Sequence, residues 1–292
     1  MTSPLPVAEL EALDAAIEHM LASGRRGELA ILGAGEITCV FGWRDHACKR
    51  LPPFAHEADA HHYAALLDRY VTTLRAAKLT VLDTALGWCQ PRADKVVAYV
   101  VQRAQPRHSL LPSHLREAPR AEALALFRQV LAHVVAAVSP RLGLDAQLTN
   151  WCLVDGTPCL LDTTTPLMRD EHGAELLPTE AFVSALPSAI RWFIRRYYVK
   201  RLLDRFYAPR EVMLDVLGNL INHGLDAYTD DFLAETNRVL SAPLTRQQID
   251  RYRRQEALTW RWLRRLLRVE QLWRRKIRRS GDALVLPWQF QD

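Results

Sequence analysis

Apolar positions along the first half of the chain follow helical spacing in some stretches and strand-like spacing in others. Helical spacing with one apolar face runs from Pro6 to Ser23 and from Glu57 to Lys78. A β-rich stretch from Leu29 to Trp43 separates these two, and strand-like runs continue from Thr80 to Val101. The stretch from Ala121 to Val138 is apolar on most sides, as expected of a buried helix. The pattern predicts a mixed α and β fold.

The strongest local pattern predicts a β-hairpin. Two short apolar runs, Trp151 to Val154 and Pro158 to Leu161, flank the pair Asp155-Gly156. A D-G pair between two such runs is typical of a two-residue hairpin turn. A turn centred on this pair places residue 150 opposite residue 161.

Three polar side chains are expected at the open end of this hairpin. Asn150 and Asp162 leave the two strands side by side, and Asp145 lies five residues before Asn150 on the loop that leads into the first strand. Carboxylate and amide oxygens suit a hard cation, and a carboxylate can also accept a proton. The hairpin therefore predicts a site for a cation and a general base.

The spacing D-x-x-x-x-N from Asp145 to Asn150 resembles the catalytic loop of the protein kinases, and Asp162 resembles the aspartate of their D-F-G element. The resemblance is greatest to the small-molecule branch typified by aminoglycoside and choline phosphotransferases. The combination D-A-Q-L-T-N-W and L-D-T-T-T-P-L is similar to a bacterial kinase-like family of no assigned function. It implies that Asp145 orients and deprotonates the acceptor, and that Asn150 and Asp162 hold Mg²⁺.

A glycine-rich segment earlier in the chain resembles another part of a kinase. G-A-G-E-I-T-C-V, from Gly33 to Val40, matches the kinase glycine loop G-x-G-x-x-G-x-V except at Thr38, where the third glycine would stand. The resemblance implies that Gly33 and Gly35 let backbone amides approach the phosphates of ATP. The alternative is a plain hairpin turn.

A lysine follows this segment in the order found in kinases. Ala47-Cys48-Lys49 resembles the A-x-K of the strand after the glycine loop, which implies that Lys49 contacts phosphate. A kinase pairs this lysine with a glutamate of the next helix, and Glu57 is the only glutamate in that helix.

The resemblance implies an α+β, two-lobed fold with a small β-rich N-lobe and a large, mostly helical C-lobe. The N-lobe is expected over residues 1–102, the C-lobe over residues 107–292, and the hinge at about residues 102–106. From Thr179 onward the chain is expected to be almost entirely helical. Breaks are expected at Pro187, Pro209, Gly218, Gly224 and Pro243.

Two departures from the kinase pattern favour an alternative function. Gly143 stands where kinases have a histidine two residues before the aspartate, and the D-F-G element is reduced to Asp162-Thr163-Thr164. Both departures suit a pseudokinase, a nucleotide-binding module that has lost turnover. No A-P-E element follows, which argues against protein substrates.

Charge is distributed unevenly along the chain. The 292 residues carry a net charge of +5, whereas residues 246–279 contain 13 Arg or Lys and 3 Asp or Glu. The same segment has an apolar stripe at helical spacing, formed by Leu258, Trp262, Leu266, Val269, Trp273 and Ile277. The stripe indicates a core or interface helix with a solvated basic face. The alternative is that its arginines bind an anionic substrate or partner, or nucleic acid.

Cysteine content and hydropathy exclude several classes of protein. The five cysteines are scattered and lack C-x-x-C spacing, so buried apolar roles are expected rather than disulfides or structural zinc. No signal segment or membrane-spanning run is found, and a cytoplasmic protein without a membrane partner is expected.

The expected function is that of an ATP- and magnesium-dependent phosphotransferase. Its acceptor is expected to be a small metabolite with a hydroxyl or amine group, and an anionic acceptor is one alternative. No nucleic acid is expected as partner. The alternatives are the pseudokinase, nucleotidyl transfer on the same fold, and nucleic-acid binding through the basic segment. The sequence leaves the acceptor and the oligomeric state open.

Overall fold

Five antiparallel strands form one sheet near the start of the chain, in the order β1-β2-β3-β5-β4. In chain order they are Ala30–Ala34, Cys39–Trp43, His46–Arg50, Thr84–Arg92 and Lys95–Arg103. The computed structural model describes residues 3–23, 29–34, 39–54, 56–92, 95–177 and 203–273. Helices make up much of the rest, so the predicted α+β class is confirmed.

Helix α1 (Val7–Ser23) covers one face of this sheet. Its buried side chains recur at helical spacing and pack with sheet residues in one apolar cluster. Gly87 on β4 allows the close approach, because an added Cβ there would lie 2.7 Å from Cδ1 of Leu10. A glycine is therefore required where the helix crosses the strand.

A buried ionic network also ties α1 to the sheet. Asp14, which is 1% exposed, lies 3.0 Å from Arg50 of β3 and accepts a 2.6 Å hydrogen bond from the Tyr99 hydroxyl of β5. Arg50 also pairs with Glu18 at 2.6 Å. The negative charge of Asp14 is thus satisfied inside the first part of the chain.

Two compact units divide the described residues. The first contains Met1–Asp68 and Leu82–Gln105, and the second contains Arg69–Val81 and Pro106–Trp273. Helix α2 (Glu57–Ala76) begins in the first unit and ends in the second. The division into two lobes of a kinase stays a prediction.

The second unit contains a two-stranded sheet and a set of helices. Strands β6 (Trp151–Val154) and β7 (Thr157–Leu160) form the sheet. Among the residues that the structure describes, its helices are α3 Leu111–Glu117, α4 Arg120–Ala137, α5 Pro209–Asn219, α6 Thr229–Val239 and α7 Arg246–Trp273. Short 3-10 turns join them at Arg107–Ser109, Leu148–Asn150, Arg205–Tyr207, Leu220–His223 and Asp226–Tyr228.

The β6-β7 hairpin confirms the turn predicted from the D-G pair. Asp155 and Gly156 have φ values of 51° and 75°, which are the positive angles that a type I′ turn requires. Trp151 pairs with Leu160, the register expected for a turn centred on these two residues. All of these features depend on local sequence.

The described part of the C-terminal half is mostly helical, as predicted. Some of the breaks predicted between its helices are found and one is not. Pro209 begins α5, and Gly224 ends a helical stretch with φ of 66°. The predicted break at Gly218 is wrong, because helical structure continues through Asn219 and then as a 3-10 turn to His223. Pro187 lies outside the described residues.

Gly218 serves for close packing rather than for a turn. An added Cβ there would lie 2.9 Å from Cε1 of Tyr252, a residue of α7. A larger side chain would therefore push α7 away from α5.

The cysteines have the surroundings predicted from their scattered positions. All five cysteines are free and buried, as expected of small apolar side chains. No helix within the described residues is long and apolar enough to cross a membrane.

Candidate functional site

The open end of the β6-β7 hairpin brings Asn150 and Asp162 together. The backbone N–H of Leu161 donates a 2.8 Å hydrogen bond to the carbonyl of Asn150. This bond continues the hairpin ladder by one pair, so Asp162 follows directly beside Asn150. The predicted convergence of these two residues is thus explained by the turn.

Asp145 is tied to the same hairpin end through Asn150. The Asn150 side-chain amide donates a 3.2 Å hydrogen bond to the backbone carbonyl of Asp145. The backbone N–H of Asn150 donates to the carbonyl of Gln147 at 2.8 Å, which closes a 3-10 turn between the two residues. The structure therefore brings Asp145, Asn150 and Asp162 to one place in the second unit.

Trp151 anchors this loop from the side of the strand. Its ring is fully buried, and its indole N–H donates a 3.2 Å hydrogen bond to the carbonyl of Ala146. His133 of α4 stacks on the ring with centroids 5.7 Å apart. The loop that carries Asp145 is therefore packed against the hairpin rather than loose in solvent.

Three carboxylates interact in this region, and the interaction changes their chemistry. Burial, Asp215 and Asp162, in that order of size, raise the pKa of Asp145 to about 7. The backbone N–H of Gln147, which donates to Asp145 Oδ1 at 3.3 Å, acts in the opposite direction, as does the charge of Arg205. A carboxyl with this pKa can release and accept a proton near neutral pH.

Asn150 and Asp162 provide oxygen atoms that suit a hard cation. Asn150 uses its N–H on Asp145, and its Oδ1 accepts no hydrogen bond from the described residues. Asp162 Oδ1 accepts hydrogen bonds from the backbone N–H and the hydroxyl of Thr164, at 3.0 and 2.6 Å. Two protein oxygens fit Mg²⁺, which takes its remaining ligands from phosphates and water.

A buried hydroxyl beside Asp162 is also consistent with a polar ligand. Thr163 is 1% exposed, and its hydroxyl has no hydrogen-bond partner among the described residues. Leaving such a group unpaired costs about 1–3 kcal/mol. Within the part of the chain that the structure describes, no group of three or more His, Cys, Asp or Glu side chains could hold a metal ion by itself.

Gly143 is held by hydrogen bonds of its backbone, which support the loop that leads to Asp145. Its N–H donates to the carbonyl of Leu167 at 2.8 Å, and its carbonyl accepts a 3.0 Å hydrogen bond from the Tyr70 hydroxyl. A Cβ added at Gly143 would lie 2.9 Å from Cβ of Leu167 and 3.1 Å from Cε1 of Tyr207. The packing therefore leaves no room for a side chain.

Asp215 of α5 is a site residue that the sequence analysis missed. It is 2% exposed, and its Oδ2 accepts a 3.2 Å hydrogen bond from the side-chain amide of Gln147, two residues after Asp145. One sequence signal exists, because Asp215 interrupts an apolar face formed by Val212 and Val216. A charge on such a face indicates a buried polar network.

The other oxygen of Asp215 connects α5 with α7. Oδ1 accepts hydrogen bonds from the Tyr252 hydroxyl and from the side-chain amide of Asn219, and Arg205 lies 3.5 Å away. Arg205 also pairs with Glu256 of α7 at 3.1 Å. Asp215 therefore joins the Asp145 loop to the start of the basic helix.

The first unit contains the residues predicted to contact ATP phosphates. Gly33 lies opposite Val40, Val40 opposite Lys49, and Lys49 opposite Val100, so Gly33 and Lys49 lie on one transverse row of the sheet. Gly33 belongs to β1 rather than to the following loop, and Gly35 lies outside the described residues.

Glu57 occupies the first position of α2, as predicted, and is exposed. It lies 3.6 Å from Nε2 of His61, one helical turn further on. Its pairing with Lys49 stays a prediction.

The basic helix α7 presents different faces along its described part. Arg253 points inward and donates hydrogen bonds to the carbonyl of Gly218 at 3.1 Å and to the hydroxyl of Thr229 at 3.2 Å. Arg251 is exposed. Leu258, the first residue of the predicted apolar stripe, is 62% exposed and is therefore not part of the core of the second unit. The structure does not describe the other side chains of the stripe.

The comparison with curated proteins finds no match for this chain. A model of a protein family, described as a family of unknown function (DUF6206), matches residues 38–271. The matched stretch covers most of the chain and includes Asp145, Asn150 and Asp162. The chain therefore belongs to the DUF6206 family.

Proposed function

We propose that the protein is an ATP- and magnesium-dependent phosphotransferase with a two-lobed, kinase-like fold. The acceptor is a small metabolite that carries a hydroxyl or amine group. One observation carries the proposal: Asp145, Asn150 and Asp162 lie together at the open end of one hairpin. Phosphoryl transfer needs little more from a protein than positioned charges and a proton acceptor.

Asp145 has the role of proton acceptor. Its pKa of about 7, raised by burial and by Asp215 and Asp162, lies near the pH at which a general base is most effective. Its backbone is fixed by Asn150, and one of its carboxylate oxygens accepts a hydrogen bond from Gln147. The second oxygen is then the one that faces the proton of the acceptor.

Asn150 and Asp162 are the residues that hold Mg²⁺. Bound there with ATP, the ion would neutralise the charge that develops on the transferred phosphoryl group. The two residues leave adjacent strands, so the hairpin fixes their spacing before any ligand binds.

The sheet of the first unit suits the phosphates of the nucleotide. Gly33 and Lys49 lie on the same transverse row, two strands apart, and Lys49 projects from the face opposite the one that Arg50 uses to reach Asp14. Lys49 therefore lies on the face of the sheet away from the α1 network. A lysine at this position can pair with phosphate oxygens.

A second candidate function is nucleotide binding without turnover. It is favoured by the two hydrogen bonds that Asp162 Oδ1 accepts from Thr164, because they commit one ligand oxygen to a local turn. A metal would then be held through fewer oxygens, which would weaken charge neutralisation during transfer.

Consumption of ATP in the presence of pooled metabolites tests the proposal. The wild-type protein should convert ATP to ADP with at least one pool, and Asp162→Asn should not. Asp170→Asn is the matched control, because Asp170 also accepts backbone N–H groups of its own turn, from His172 and Ala174, in an exposed loop. Magnesium-dependent ATP binding with no consumption in any pool would favour the second candidate. Absence of binding would overturn both.

A further inference from the structure

A tyrosine from another part of the second unit contacts the Asp145 loop. Tyr70 of α2 is 2% exposed, and its hydroxyl donates the 3.0 Å hydrogen bond to the carbonyl of Gly143. Gly143 precedes Asp145 by two residues. In the sequence, Tyr70 is one position on the apolar face of the helix predicted from Glu57 to Lys78.

The hydroxyl of Tyr70 also lies within electrostatic reach of the site. Burial raises the pKa of Tyr70, and the negative charges of Asp145 and Asp162 raise it further. The hydroxyl therefore keeps its proton and remains a donor throughout the physiological pH range. A buried, permanent donor is suited to fixing a carbonyl group.

Gly143 is the point of the loop where such a contact has most effect. Glycine has more backbone freedom than any other residue, and ordering it costs more entropy. The backbone here is fixed by three hydrogen bonds, from Gly143 to Leu167, from Leu144 to Phe206, and from Tyr70 to Gly143. Only the last of these comes from a side chain, so it can be removed without changing the backbone sequence of the loop.

We propose that Tyr70 is a positioning residue for Asp145. The hydroxyl fixes the carbonyl of Gly143, and this sets the direction in which the following residues place the Asp145 carboxylate. The expected effect on kcat rests on the proposed function, because it assumes that the reaction is phosphoryl transfer. The placement of the Asp145 carboxylate by Tyr70 does not depend on which reaction is catalysed.

Tyr70→Phe tests the kinetic part, since it removes only the hydroxyl. We expect kcat to fall on the order of 10- to 100-fold, as for a displaced reacting group. The KM for ATP should stay within about twofold of wild type, because the metal residues are not moved. Replacing Tyr70 with 4-aminophenylalanine, which keeps an N–H donor at the same place, should restore part of kcat.

Tyr99→Phe is the matched control for buried tyrosine hydroxyls. Tyr99 is fully buried and donates its hydroxyl to Asp14 in the first unit. This variant should lose stability as Tyr70→Phe does, with kcat unchanged. In an Asp145→Asn background, Tyr70→Phe should cause no further loss of kcat, whereas a merely structural role would give additive losses.

NMR of the backbone around Asp145 separates this proposal from the proposed function. Tyr70→Phe should move the backbone amide and Cα resonances of Leu144 and Asp145 at constant pH, because the carbonyl of Gly143 loses its side-chain donor. Tyr99→Phe should leave these resonances unchanged. Moved Asp145 resonances in a protein that consumes no ATP would retain the positioning and reject phosphoryl transfer. Unchanged Asp145 resonances in Tyr70→Phe would overturn the positioning, whatever the activity.

Discussion

The side chain of Asn150 donates a 3.2 Å hydrogen bond to the backbone carbonyl of Asp145. The residue proposed to hold metal therefore also fixes the residue proposed to act as base. Since Asn150 is in turn paired with Leu161, a displacement of the hairpin would move both functions together. This coupling makes single substitutions at the site informative, because their effects on binding and on turnover can be compared.

Asp145→Asn should separate turnover from nucleotide binding. The amide is isosteric but cannot accept the proton of the acceptor, so kcat should fall by about 10²- to 10⁴-fold. Affinity for magnesium and ATP should stay near wild type, since the proposed role of Asp145 is toward the acceptor and not toward the metal. Asp155→Asn, at the closed end of the hairpin where φ is 51°, is the control and should behave as wild type. Loss of nucleotide binding in Asp145→Asn would mean that the roles of Asp145 and Asp162 are exchanged.

The same substitution should change how stability depends on pH. The pKa of Asp145 is raised from 3.8 to about 7, so between these values the unfolded chain ionises while the folded side chain keeps its proton. Stability from Asp145 is thus present at low pH and is lost as the pH rises toward and through 7. The side chain of Asp145→Asn cannot ionise. Above pH 7 the free energy of unfolding of this variant should therefore exceed that of wild type by on the order of 1 kcal/mol.

Urea unfolding at pH 4 and pH 8 measures this effect. The difference between Asp145→Asn and wild type should be larger at pH 8, because other titrating groups are common to both proteins. Asp155→Asn should show no such difference. Parallel pH dependence of wild type and Asp145→Asn would contradict the raised pKa.

Asp215→Asn should move the pH dependence of catalysis. The negative charge of Asp215 raises the pKa of Asp145, so its removal should shift the acid limb of the kcat/KM profile to lower pH, by about one unit. Asp14→Asn is the matched control, since Asp14 is equally buried and lies 3.0 Å from Arg50 in the first unit. Both variants should lose stability, but only Asp215→Asn should shift the acid limb of the kcat/KM profile. An acid limb that stays in place in Asp215→Asn would refute the electrostatic coupling.

The two faces of α7 should respond differently to substitution. Arg253→Ala removes the donor for the carbonyl of Gly218 and the hydroxyl of Thr229, and should cost about 1–3 kcal/mol of unfolding free energy. Arg251→Ala, on the exposed face, should cost less than about 0.5 kcal/mol. Chemical denaturation compares the two. Equal effects would mean that the inward contacts of Arg253 do not hold α7 in place.

A gel-shift titration at two salt concentrations tests nucleic-acid binding by the basic segment. No shift is expected at physiological salt. A clear, salt-sensitive shift that weakens in Arg251→Ala would favour a nucleic-acid partner instead, since each lost phosphate contact lowers the salt slope by about one.

Short-range sequence patterns were sufficient for the hairpin and for the pair it carries. Asp155 and Gly156 accept positive φ values, and the two-residue turn they form fixes the register of the flanking strands. The position of Asn150 beside Asp162 follows from that register. Prediction succeeded here because every determinant lies within a dozen residues.

Asp215 and Tyr70 could not be placed in the same way. Asp215 lies 70 residues after Asp145 and reaches its loop through Gln147, while Tyr70 comes from a helix that precedes the loop. Their contacts depend on how helices pack, and helical spacing alone does not show which buried position faces which loop. Gly218 illustrates the same limit. A glycine in a helical stretch predicts a break from sequence, whereas here it allows the close approach of Tyr252.

Magnesium-dependent binding of ATP is the central expectation of the proposed function. Asn150 and Asp162 supply the oxygens, and the phosphates complete the coordination. At 100 times its dissociation constant, a ligand adds about 2.7 kcal/mol of stability. Thermal unfolding with ATP should therefore show stabilisation in magnesium and little in EDTA.

Isothermal titration calorimetry of ATP into the wild-type protein, with magnesium and with EDTA, measures the same property directly. A metal–nucleotide site at the hairpin end predicts saturable binding in magnesium, no measurable binding in EDTA, and strongly weakened binding in Asp162→Asn. Asp170→Asn, at the half-buried first residue of the exposed 170–174 turn, should bind as wild type does. ATP binding that is equal with magnesium and with EDTA, or equal in Asp162→Asn and wild type, would contradict a metal–nucleotide site at the hairpin end.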